Sequence, residues 1–204
     1  MATVAQRLGQ APLVIRLRPH IELTSDQFFE FCQLNGDLRI ERTAEGEVLI
    51  MAPAGGGSAY RELMLARQLS EWAEQDGAGV AFGPSVGFEL PNVATRSPDA
   101  SWVRKERLKT LPSERKEKFL PLCPDFAAEM LSPSDSLRTA KDKMQEYIDN
   151  GARLAWLIDP SERRIYIYRP GAEVELLENR DTVSGDPELP GFVLELRSIW
   201  ELPF

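Results

Sequence analysis

Residues 123–160 read CPDFAAEMLSPSDSLRTAKDKMQEYIDNGARLAWLIDP. The run Phe126 to Leu131 has strand length and is apolar except for one carboxylate, Glu129. Ser132-Pro133-Ser134-Asp135-Ser136 breaks it and supplies caps for a helix that runs to Asn150-Gly151, with Gly151 as the C-cap. Leu154 to Ile158 is a second apolar strand, ended by Asp159-Pro160. Beyond it, Arg164–Arg169 and Val174–Leu177 alternate as a meander, and Phe192–Trp200 closes the chain.

Upstream, Thr24-Ser25-Asp26-Gln27 has capping-box spacing and starts a short helix ending near Asn35-Gly36. Leu38–Glu41 and Val48–Met51, separated by Ala44-Glu45-Gly46, form a β-hairpin. Pro53–Ser58 is a glycine-rich loop opening a long helix, with Tyr60, Leu63, Met64 and Trp72 inward and Arg61, Glu62, Gln68 and Glu71 outward. The loop lacks the GKS/T ending of a P-loop and reads as a hinge. Short strands follow at Val80–Phe82, Val86–Leu90 and Ala100–Val103. Strands flanked by helices argue an α/β (α+β) fold with a mixed β-sheet. The expected organisation is an N-terminal arm over 1–19, loose or extended, and a single domain over 20–204.

Composition narrows the chemistry. With 204 residues, 43% hydrophobic and 27% charged, one packed core is expected and wholesale disorder is not. One histidine, His20, and two distant cysteines, Cys32 and Cys123, supply a zinc site or a Ser-His-Asp centre poorly. The thiols read as small apolar residues of a reducing compartment. The net charge of −8 argues against coating nucleic acid by bulk attraction. Residues 104–118, with Arg104, Lys105, Arg107, Lys109, Arg115, Lys116 and Lys118, are the main basic stretch, either a solvated face or the place where a substrate backbone lies. No apolar run reaches membrane-spanning length, so a cytoplasmic protein without a membrane partner is expected.

Three side chains could carry chemistry. Glu129, set in an apolar strand, needs a cation unless it lies on an edge facing solvent. Asp99 follows Ser97-Pro98 and starts a strand; it is either a turn former or one of two carboxylates sharing a divalent ion. Lys143 is one turn before Tyr147 on the helix after Glu129; it either snorkels to solvent or brings its ammonium to the carboxylates, where it could position or deprotonate a water. Lys141 points elsewhere and reads as a surface residue.

Taken together, RSPDASWV (96–103), CPDFAAEMLSPSD (123–135), KMQEY (143–147), NG (150–151) and WLIDP (156–160) resemble the Uma-type family, a domain of formerly unknown function grouped with restriction endonucleases. NGDLRIE (35–41) and MAPAGG (51–56) fit the same pattern, so the likeness spans about residues 20 to 200. It implies a restriction-endonuclease-like core with a PD-(D/E)xK site: Asp99 and Glu129 as ligands of Mg2+ (Mn2+ as a substitute), and Lys143 as the catalytic lysine. The chain departs from the parent motif at Leu131, where lysine would stand, and at Ser58-Ala59, where some members carry histidine. Glu41 matches a family acid and is either a further site member or a partner of Arg39 or Arg42. The implied activity is DNA phosphodiester hydrolysis, with a dimer expected for a nuclease that cuts two strands. The competing reading is a non-catalytic nucleic-acid-binding or regulatory module on a nuclease scaffold.

Overall fold

The computed structural model describes residues 12–204. Two sheets and a small hairpin carry the described residues. The first sheet has the order β1 (Leu13–Arg16), β3 (Glu47–Met51), β2 (Arg39–Arg42), β6 (Thr95–Arg96), β5 (Phe88–Glu89), all antiparallel. The second runs β11 (Glu175–Glu178), β10 (Arg164–Tyr168), β9 (Leu154–Asp159), β8 (Phe126–Met130), β7 (Ala100–Arg104), β4 (Gly79–Phe82). It is mixed: β8 and β9 pair in parallel and every other neighbour is antiparallel. The apolar runs at 126–130 and 154–158 are its central strands, consistent with strands covered on both faces. β12 (Thr182–Ser184) and β13 (Val193–Glu195) form a separate pair.

Among the described residues, six helices accompany the sheets. α1 (Ser25–Leu34) begins with the expected capping box, Thr24 accepting from the Gln27 N–H while the Gln27 side chain accepts from the Thr24 N–H. α2 (Gly56–Asp76) ends at Gly77, whose φ of 73° and N–H to Ala73 O make a left-handed cap. α3 (Lys105–Lys109) and α4 (Ser113–Lys116) divide the basic stretch. α5 (Leu137–Asp149) connects β8 to β9, and α6 (Arg197–Trp200) is a final turn. The cap of α5 is Asn150; Gly151 follows at φ 108°, so the expected glycine cap lies one residue beyond the end.

α2 and the C-terminal segment cover one face of the second sheet, where Trp156 stacks on Phe192 at 5.7 Å and meets Phe126 edge-on at 4.9 Å. α5 and the segment around Phe88 and Leu120 cover the other. α1 packs on the first sheet through Phe28, Ile40 and Val48.

The face expected for α2 is corrected in part: Met64 and Trp72 pack on the core and Glu71 stays outside as expected, but Leu63 does not turn inward. Leu65, Leu69 and Ala73 are buried, while Leu63 is 61% exposed. Polar side chains can point inward here because neighbouring backbone satisfies them. Arg61 Nε donates to Ile199 O, and the Gln68 amide both donates to and accepts from the Glu195 backbone. The expected N-terminal arm includes β1, extended and paired along β3; its first eleven residues lie outside the described ones.

Candidate active site

The ladder between β7 and β8 sets the centre. Ala100 pairs with Ala128, so one step further out Asp99 falls opposite Glu129. Directly opposed antiparallel positions bring Cβ atoms to about 5 Å. The Asp99 carboxylate folds over the end of the ladder: Oδ2 accepts from the Met130 N–H at 2.8 Å and Oδ1 takes Arg39 Nη2 at 3.0 Å. Glu129 is in a central strand, not an edge, and its carboxylate is nearly out of solvent.

Lys143 arrives from α5. Met144 and Tyr147 are fully buried against the sheet and fix the helix rotation, which carries Lys143 to the strand end. Its Nζ sits 2.7 Å from Glu129 Oε1 and 3.0 Å from Glu41 Oε1. Tyr147, one turn on, donates its hydroxyl to the same Glu129 oxygen at 2.9 Å. Both contacts fall on Oε1, and neither uses Oε2. Lys141 lies away from the cluster, its ammonium 4.1 Å above the Tyr166 ring.

Glu41 is a member of the cluster. Its partners are Lys143, Arg96 Nη1 at 3.2 Å and the Ser97 N–H, so the alternative pairing with Arg39 or Arg42 is corrected. Strand alternation turns Arg42 away: Arg39 and Glu41 face the second sheet, while Ile40 and Arg42 face α1, where the Arg42 guanidinium covers the Phe28 ring; Arg39, on the same face as Glu41, is taken up by Asp99. Arg96 is tied in turn to Glu146 at 2.6 Å.

The electrostatics are those of a buried, anionic pocket. Burial, reinforced by Asp99 and Glu41, pushes the Glu129 carboxyl up to about 7 despite the adjacent Lys143. Burial also raises Asp99, with Arg39 opposing. Glu41 is held below its ordinary value: burial opposes ionisation, but Lys143 and Arg96 outweigh it. Burial works against the Lys143 charge, yet Glu129 and Glu41 raise its pKa overall. Of the two expected roles, positioning a water and deprotonating it, this direction favours the first.

Two further residues belong to the neighbourhood. Arg39 is one, reaching Asp99 and the Ser97 carbonyl. Glu62, assigned from sequence to the outer face of α2, is half-buried and close enough to Arg39, Glu129 and Asp99 to interact with them; burial raises its pKa. The Arg39-Ile40-Glu41 alternation was a usable signal for the first. Nothing in the helical periodicity marked the second.

A model of the family described as "Putative restriction endonuclease", Uma2, matches residues 25–197. The chain belongs to the Uma2 family. Among solved structures, the crystal structure of a putative nuclease belonging to DUF820 from Anabaena variabilis ATCC 29413 superposes with a TM-score of 0.70. Sequence identity is 20%, over 88% of this chain and 98% of that one. This Uma2 chain therefore shares the fold of that nuclease. A weaker likeness, TM-score 0.36 at 16% identity, covers 55% of this chain and 9% of the one in the DrdV–DNA complex. No curated protein matches the chain.

Proposed function

We propose that this Uma2 chain is a metal-dependent endonuclease that hydrolyses DNA phosphodiester bonds through Asp99, Glu129 and Lys143. The observation that carries the reading is the convergence of one ammonium and two carboxylates from three separate elements, with Nζ of Lys143 2.7 Å from Glu129 and Asp99 one ladder step across.

The donor set suits a small hard cation. Among the described residues no group of three or more His, Cys, Asp or Glu forms a ready ligand cluster. Mg2+ commonly uses only one or two carboxylates and completes its shell with water and substrate phosphate. Asp99 and Glu129, both with raised proton affinity, have an excess of negative charge that a dication would relieve. When bound, Mg2+ or Mn2+ supplies Lewis-acid polarisation of phosphate and acidifies water.

The protein's own groups do the rest. Lys143, anchored by Glu41 and Glu129, keeps an ammonium at a defined point where it orients a water and offsets charge gathering on phosphorus. Arg39 adds a second cation beside Asp99. Water attacks phosphorus in line and releases its proton to solvent, the P–O3′ bond breaks, and solvent protonates the departing 3′-oxygen. A lysine supplied from α5 in place of position 131 serves equally, because the ammonium's position decides its effect. A dimer would bring two such centres to the two strands of a duplex.

A second reading, a non-catalytic nucleic-acid-binding or regulatory module, is favoured by the 3.0 Å Arg39–Asp99 pair, which already neutralises one ligand, and by the −8 charge. Supercoiled plasmid incubated with purified protein and Mg2+ or Mn2+ separates the two. Nicking or linearisation that disappears in both Glu129→Ala and Lys143→Ala supports the hydrolase. Cleavage persisting in both refutes this site, and binding without cleavage supports the module.

A further inference from the structure

We propose that the lysine-rimmed groove beside edge strand β4 holds single-stranded nucleic acid, a reading that rests on the nucleic-acid hydrolase proposed above and assigns it a substrate-holding surface. The chain is strongly acidic, so a polyanion must meet it where the local sign reverses. Residues 104–118 carry seven basic side chains against three acidic ones in a molecule of net charge −8. The fold gathers Lys105, Lys109, Lys116 and Lys118 from α3, α4 and the following turn around one groove of about 310 Å³. Lys118 is paired with Asp26 at 2.8 Å and Lys105 donates to Gly77 O. Among the described residues, Lys109 and Lys116 form no ion pair.

The floor of the groove distinguishes strand from duplex. Phe82, Leu108 and Leu120 line it, an apolar surface between cations. A duplex presents phosphates outward with its bases stacked inside, and has nothing apolar to offer such a floor. A single strand offers both phosphates for the lysines and base faces for the Phe82 ring, the combination on which stacking platforms depend. The placement also serves the proposed centre. Val80 and Phe82 lie opposite Val103 and Ser101 in the β4–β7 ladder, so they share the sheet face that carries Asp99 and Glu129. β7 separates the two: Asp99 precedes it and Lys105 follows it, about 20 Å apart at about 3.3 Å per residue.

The test is fluorescence anisotropy with a labelled oligothymidylate and, in parallel, a duplex of equal length, using full-length Glu129→Gln protein in EDTA so that cleavage plays no part. Four phosphate contacts at a slope of about −0.7 each predict about a 50-fold loss of single-strand affinity between about 50 and about 200 mM salt. K109E/K116E should reduce that to about 7-fold, with affinity lowered throughout. R67E/R197E, an equal charge change at exposed positions elsewhere, should leave the slope unchanged. Duplex binding as tight as single-strand binding, an unaltered slope in K109E/K116E, or equal competition by polyglutamate or anionic vesicles would each overturn the proposal. Intact single-strand binding with no cleavage of either plasmid or oligothymidylate by the wild type in Mg2+ or Mn2+ would sink the hydrolase while leaving the groove standing.

Discussion

Replacing Glu129 by Gln preserves the side chain's shape and its ability to accept from Tyr147 and Lys143, while removing a charge that burial disfavours. The wild-type carboxyl moves from 4.5 in the unfolded chain to about 7 when folded. Across that window the folded protein holds a proton that the unfolded chain releases, so wild-type stability falls as pH rises from 4.5 to 7. At about 1.4 kcal/mol per pH unit, the gap between those two values corresponds to about 3 kcal/mol, an upper figure because Lys143 is shared with Glu41. Glu129→Gln is therefore expected to be more stable than the wild type at pH 8 and equal to it below pH 4.5. Urea unfolding followed by tryptophan fluorescence at intervals from pH 4 to 8 measures this. Saturating Mg2+ at pH 8 should recover part of the deficit in the wild type and little in the variant. A variant less stable than the wild type at pH 8, or a difference that does not change with pH, would refute the account of this pocket as electrostatically strained.

Other perturbations have distinct signatures. Glu41→Gln leaves Arg96 with only Glu146 and Lys143 with only Glu129; both cations stay paired, so a loss of about 2 kcal/mol, below the usual range for stranding a buried ion, is expected in urea melts. The same change removes a negative neighbour of Glu129, and the pH at which wild-type stability declines should move downward. A Cβ on Gly79 would lie 2.1 Å from the Trp102 indole, which is buried and pinned on the sheet; Gly79→Ala should cost about 1–3 kcal/mol and red-shift the tryptophan emission. Thr24→Ala deletes one arm of the α1 capping box and should lower stability by about 1 kcal/mol with plasmid cleavage unchanged.

The strands at the centre of the second sheet were legible because their apolar runs are bounded by Pro, Ser and Gly, and so were both ends of α1 and the hairpin of β2 and β3. α2 was legible at Met64 and Trp72, which pack on the core, and misread at the edges of its inner face. Its inward face includes Arg61 and Gln68, whose partners are backbone groups of the C-terminal segment more than a hundred residues away, and hydrophobic periodicity contains no information about such partners. β6 escaped notice because two residues, Thr95 and Arg96, have no period. Of the site, the resemblance to the Uma-type family supplied Asp99, Glu129 and Lys143 as a set, and the structure brings them together. The links to Arg39, Arg96 and Glu62 depend on how the first sheet and α2 dock against the second, and only tertiary packing fixes that. The sequence left open whether Lys143 positions or deprotonates a water, because it does not show that the ammonium sits between two carboxylates, Glu41 and Glu129.

Carrying the lysine on α5 rather than on β8 changes which sequence edits the centre can absorb. A helix turns through about 100° with each residue. One residue inserted between Lys143 and Tyr147 would swing the ammonium round the cylinder and away from the carboxylates, though every strand stayed in place. One residue inserted in the exposed Ser132–Ser136 connection would merely lengthen a loop ahead of a helix whose rotation Met144 and Tyr147 already dictate. Length variation in homologous chains should accordingly collect in that connection and be missing from the turn between Lys143 and Tyr147.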